Sequence, residues 1–140
     1  MKGFVVDASV VAAAFFQEEH AEAARALLVS GRELQAPDLL PTEVANAIWK
    51  RHGRKEIDEI EARQLLTDCL RLPLKLAPSG DLVEPALQLA LRAKRTVYDC
   101  LYLALAMRTS SVLVTGDLRL VHALAGGPLE KHIAWIGKQR

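Results

Sequence analysis

Four acidic residues stand where hydrophobic runs end or helices begin: Asp7 after Gly3-Phe4-Val5-Val6, Glu43 after Pro41-Thr42, Asp99 after Thr96-Val97-Tyr98, and Asp117 after Val112-Leu113-Val114-Thr115-Gly116. They are far apart in the chain, yet an open α/β sheet gathers such positions. The carboxyl ends of parallel strands and the helix starts beside them share one edge. Two carboxylates ~5 Å apart repel by about 3 kcal/mol at an effective dielectric near 20. A cluster of four with no matching cation therefore calls for protons or a multivalent cation. An all-oxygen set with no His or Cys at the same breaks suits Mg²⁺ or Mn²⁺, hard ions that keep part of their water shell. The four histidines, His20, His52, His122 and His132, lack zinc-site spacing and belong on solvated faces or at helix ends.

Each acid also has a plainer role. Asp7 followed by Ala8-Ser9 reads as a helix cap, and so does Asp117 after its Thr-Gly turn. Glu43 comes two residues after Pro41, in a first turn where a carboxylate complements the helix dipole. Thr96 and Asp99 have the spacing of a capping box, with Asp in place of the usual Glu or Gln. The conjunction is what points to chemistry, since independent caps would use Ser, Thr and Asn as often. Ser9 is either a hydroxyl beside a metal or part of the cap. No GxxxxGK[ST] loop is present and no GxGxxG follows the first strand, so a glycine loop does not cradle a nucleotide. Ser9 also occupies the position where an aspartyl-phosphate phosphatase would carry its second acid.

The elements that must position these residues alternate. Strands are expected at Gly3–Asp7, Leu34–Ala36, Leu74–Ala77, Val112–Thr115 and His132–Ile136. Helices are expected at Val10–Phe16, Ala21–Val29, Thr42–Gly53, Ile57–Leu70, Leu82–Ala93, Val97–Thr109 and Leu118–Ala125. The strand runs are continuously apolar, so helices should cover both sheet faces. The fold class is thus α/β, a three-layer α/β/α sandwich around a short, mainly parallel sheet. Two successive helices, Thr42–Gly53 and Ile57–Leu70, have no strand between them and should form a hairpin leaning off the sheet. Its apolar positions Val44, Ile48, Ile57, Ile60 and Leu65 exceed what one helix face needs if the hairpin packs only on the sheet, and Trp49 and Ile48 either help form a partner surface or lie in the core, the commoner fate.

One domain over residues 1–140 is expected, large enough for a core without staples. A net charge of +1 rules out binding of polyanions by global charge, so any nucleic-acid contact must use local patches. Lys94, Arg95, Arg119, Arg51 and Arg54 are nearest in sequence to the acids or their helices, with a solvated face as the ordinary role for most of them. Cys69 and Cys100 fall in helical patterns, where a buried thiol is commonest, and they point to a reducing, cytoplasmic setting. No export signal, anchor or membrane partner is expected.

Four stretches together carry a family resemblance: Phe4-Val5-Val6-Asp7-Ala8-Ser9-Val10; Ala36-Pro37-Asp38-Leu39-Leu40-Pro41-Thr42-Glu43-Val44-Ala45-Asn46-Ala47; Val97-Tyr98-Asp99-Cys100-Leu101-Tyr102-Leu103-Ala104-Leu105-Ala106; and Leu113-Val114-Thr115-Gly116-Asp117. In order, spacing and flanking residues the chain resembles the PIN domain family, and within it the VapC-like ribonuclease toxins of toxin-antitoxin modules. The resemblance implies a Mg²⁺- or Mn²⁺-dependent endoribonuclease, with Asp7, Glu43, Asp99 and Asp117 as the acidic quartet that holds the metal. It further implies RNA as substrate, a cognate antitoxin that silences the site, and a homodimer. Asn46, three residues beyond Glu43 on one helical face, either steers Glu43, touches substrate or is an ordinary amide. Thr115 either binds phosphate or ends its strand. Two other PIN readings stay open, an RNA-processing nuclease and a catalytically silent binding module. A phospho-receiver is disfavoured, because Asp7-Ala8-Ser9 lacks the acidic pair such a domain needs.

Overall fold

The computed structural model describes residues 3–138. Five strands, β1 (Phe4–Val6), β2 (Leu34–Pro37), β3 (Lys75–Ala77), β4 (Val112–Thr115) and β5 (Ile133–Trp135), form one sheet in the order β3-β2-β1-β4-β5, with every neighbouring pair parallel. Among the described residues the α-helices are α1 (Ala8–Phe15), α2 (Ala21–Leu28), α3 (Leu40–Gly53), α4 (Glu59–Leu70), α5 (Val83–Ala93), α6 (Val97–Arg108) and α7 (Leu118–Leu124).

The side-chain alternation of the strands divides the core. Phe4, Val6, Val112 and Val114 face one layer, packing with Val10, Ala13 and Ala14 of α1 and Ala24, Leu27 and Leu28 of α2. Val5, Ala36, Leu113 and Ile133 face the other, where α3, α5, α6 and α7 supply the packing. The expected three-layer sandwich is therefore present. Helix α6 is its keel. Every residue from Cys100 to Ala106 is buried, so the middle of this helix has no solvent face, and it packs beside α5 and over β1, β2 and β4.

Local chemistry moves some helix starts from their expected positions. Asp7 caps α1, so α1 begins at Ala8 and not at Val10. Asp58 accepts the Glu61 amide at 2.8 Å while its own amide donates to the Glu61 carboxylate, a capping box that starts α4 at Glu59 and not at Ile57.

Helices α3 and α4 pack on each other, and α3 also meets α1, which matches the expected hairpin. The reading of its apolar residues as surplus is corrected. Val44 and Ile48 are core residues, and Ile57 and Leu65 pack against that core, leaving Ile60 (80% exposed), Trp49 (68%) and Leu70 (61%) as the hairpin's exposed large apolar side chains. Both cysteines are free and buried. Among the described residues no helix is long and apolar enough to cross a membrane.

Candidate active site

In this strand order the chain runs from β1 outward through β2 to β3, then crosses back to the other side of β1 and runs outward again through β4 to β5. The crevice at the carboxyl ends of β1 and β4 is the topological switch point, the usual ligand position in an open α/β sheet. Asp7 follows β1, Asp117 follows β4, Glu43 stands in the first turn of α3 after β2, and Asp99 stands in the first turn of α6.

Asp7 accepts the backbone amides of Ser9 (3.1 Å) and Val10 (3.3 Å) as the cap of α1. The same carboxylate accepts the hydroxyls of Ser9 and Thr115, each at 2.5 Å. Ser9 Oγ in turn accepts the Gly116 amide at 2.8 Å. A Cβ at residue 116 would sit 3.1 Å from that oxygen, so the glycine lets the end of β4 close onto α1. Thr115 is fully buried and also accepts the Asp117 amide at 3.0 Å, so one hydroxyl ties Asp7 to Asp117. Asp117 caps α7 through the amides of Arg119 and Leu120. Capping and site-building are thus not alternatives for Asp7 and Asp117, which do both.

The carboxyl of Asp7 is enclosed, although the residue as a whole keeps some exposure, and no ion pair to it exists among the described residues. Burial pushes its pKa up to about 6, against four hydrogen bonds that pull it down. Burial also raises Glu43, which accepts the Tyr102 hydroxyl and feels the charge of Asp99. Asp99 is raised by burial and by Asp117, and lowered by Arg95. Tyr102 is held far above its ordinary range, chiefly by burial and then by Glu43, with Asp7 and Asp99 adding to it. All four acids therefore act on one another directly or through a shared neighbour.

One expectation is corrected here. The acids are not without a cation: Arg95 Nη2 lies 3.6 Å from Asp99 Oδ2 and 3.3 Å from Asp117 Oδ2. As the side chains stand, no three His, Cys, Asp or Glu groups among the described residues form a cage for an ion. The donor set nevertheless fits a hard divalent cation. It is all oxygen, it includes an enclosed carboxylate with no counter-ion, and two further carboxyls, Glu43 and Asp99, are each raised by burial and by a neighbouring carboxylate.

The remaining sequence candidates divide. Ser9 and Thr115 are drawn into the site, whereas Asn46 is exposed and makes no hydrogen bond to Glu43. Arg51 is engaged by Glu18 and Glu56 and lies over the Phe16 ring, and Arg54 reaches Glu56 at 3.9 Å, so neither faces the acids as a free cation. Lys94 and Arg119 are exposed. Tyr102 was not anticipated from the sequence. Its signal was the three-residue spacing from Asp99, which puts both on one face of α6.

Comparison with known proteins decides the family. Residues 4–125 match the PIN domain. The chain belongs to the PIN domain family. Within that family a curated relative, ribonuclease VapC3 of Pyrobaculum aerophilum, is 37% identical over 118 residues, covering 83% of this chain and 90% of the relative, which places the chain among the VapC ribonucleases. A crystal structure from Pyrobaculum aerophilum superposes with a TM-score of 0.67 at 24% identity, over 96% of this chain and 91% of the other. A toxin-antitoxin complex from Klebsiella pneumoniae gives a TM-score of 0.61 at 17% identity, over 93% and 94%. At these identities the two structures speak for the shared PIN fold. The switch-point crevice with its four acids is thus the PIN domain's sheet edge, built in this chain around Thr115 and Tyr102.

Proposed function

We propose that the whole chain, residues 1–140, acts as a single metal-dependent endoribonuclease domain, the toxin of a toxin-antitoxin pair, working through Asp7, Glu43, Asp99 and Asp117. The observation that carries this reading is the meeting of four acids from four separate segments at the switch point, with the Asp7 carboxyl enclosed and lacking a counter-ion. VapC ribonucleases of the PIN family are divalent-metal enzymes, and these four residues are the ones that would hold Mg²⁺ or Mn²⁺. When bound, such an ion lowers the pKa of its water and offsets charge developing on the scissile phosphate.

The chain's own residues supply the rest. Ser9 and Thr115 fix both oxygens of Asp7 from opposite sides, so its carboxylate is oriented before any ligand arrives. Tyr102 fixes Glu43 in the same way from α6. Burial raises the proton affinity of the Asp7 and Glu43 carboxyls, so a cation held there would compete with protons for them. Exposed Lys94 and Arg119 flank the acids in sequence and offer charge to an RNA backbone without fixing its sequence.

The partners that go with this reading are RNA, a cognate antitoxin and a second copy of the chain, in the cytoplasm. The exposed Trp49 and Ile60 on the α3–α4 hairpin are a surface available to a protein partner. The test is to incubate the purified protein with total RNA, with Mn²⁺ or with chelator. The reading expects discrete cleavage products only with the metal. Products that form equally well in chelator would overturn it.

A further inference from the structure

Arg95 is set between two elements by its own backbone. Lys94 ends α5 in the left-handed conformation (φ 55°), and Thr96 caps α6 by accepting the Asp99 amide. The Arg95 side chain is only 23% exposed, whereas Arg54 and Arg63, in ordinary surface ion pairs, are at 67% and 81%. One nitrogen, Nη2, reaches both Asp99 Oδ2 on α6 and Asp117 Oδ2 at the start of α7. Nε of the same side chain is buried with no hydrogen-bond partner.

This is not the geometry of a permanent structural pair. Tight arginine–carboxylate pairs use two parallel N–H contacts to one carboxylate, and their donors are satisfied. Here a single nitrogen is divided between two carboxylates, and a buried donor is left unused, which carries a free-energy cost. The guanidinium sits where a small multivalent cation would serve both acids better.

We propose that Arg95 is a resident counter-ion of the acidic site, which occupies the gap between Asp99 and Asp117 in the metal-free protein and competes with the divalent cation for those two carboxylates. Metal entry then requires the guanidinium to let go, and Arg95 sets the metal concentration at which the site loads. The inference rests on the reading of Asp99 and Asp117 as metal ligands.

The experiment measures Mn²⁺ affinity from the electron paramagnetic resonance of the free ion, for the native chain, Arg95→Gln and Arg95→Lys. Arg95→Gln should bind Mn²⁺ about tenfold more tightly than the native chain, about 1.4 kcal/mol, and Arg95→Lys should stay near the native value. Equal or weaker binding by a folded Arg95→Gln, with the native chain still binding, overturns the competition while leaving the metal reading intact. If neither protein binds Mn²⁺ at millimolar concentration, the metal reading falls and the inference with it. A second readout needs no substitution that could unfold the chain: the Arg95 Nε–H resonance of ¹⁵N-labelled native protein should shift as Mg²⁺ saturates. A resonance that stays in place while the metal binds overturns the proposal.

Discussion

Asp7→Asn separates the electrostatic cost of the site from its structure. In the folded chain the Asp7 carboxyl titrates at about 6, against 3.8 without the fold, because burial disfavours its ionised form. At pH values between those two the native state binds more protons than the unfolded chain, so stability falls as pH rises through the window and levels off above it. At 1.36 kcal/mol per unit, the full cost at neutral pH is about 3 kcal/mol as an upper figure. Asparagine keeps the shape and an oxygen for the Ser9 and Val10 amides, but it does not titrate. The metal-free variant should therefore gain on the native chain as pH rises from 4 to 7, by up to about 3 kcal/mol. That corresponds to roughly 10 °C in melting temperature for a chain of this size. The assay is thermal unfolding of both proteins with chelator at several pH values. Adding Mn²⁺ at neutral pH should then close most of that gap, since a ligand at about 100 times its dissociation constant stabilises the native chain by about 2.7 kcal/mol. A stability gap that does not vary with pH would refute the reasoning, and would make Asp7 a cap and nothing more.

Tyr102→Phe removes the hydroxyl that orients Glu43, and RNA cleavage should fall about 10- to 100-fold with little change in the circular dichroism spectrum. Thr115→Val should weaken Mn²⁺ binding by a similar factor, because Asp7 loses a donor and Asp117 loses the acceptor for its amide. Leu103→Ala, at a fully buried position in α6, should cost about 2–5 kcal/mol in denaturant unfolding, and the site that includes Asp99 at the start of that helix should lose metal affinity in partially unfolding conditions.

The fold was legible because its signals were local. Continuous apolar runs such as Phe4-Val5-Val6 and Val112-Leu113-Val114 predict strands buried on both faces, and these are the paired central strands of the sheet. The acids were legible because each marks a strand end or a helix start, a position that chain topology converts into proximity. What could not be read was long-range pairing between side chains. Nothing in Lys94-Arg95-Thr96 shows that the arginine bridges Asp99 and Asp117, since that depends on how α6 and α7 are set against each other. Likewise the hairpin's apolar residues looked surplus in sequence, but Val44, Ile48, Ile57 and Leu65 are taken up by a core that runs beneath α3 and α4. Helix starts moved by two residues where a cap, Asp7 or Asp58, outweighed hydrophobic periodicity.

The central claim, that the carboxylates at the switch point support metal-dependent RNA cleavage, is tested most directly by Asp99→Asn. Purified native and variant proteins would be compared on the same RNA in millimolar Mn²⁺, after unfolding curves have shown that both are folded. Loss of a ligand that both holds the ion and tunes its water should lower the rate by at least about a hundredfold. Cleavage at the native rate by the folded variant would contradict the account.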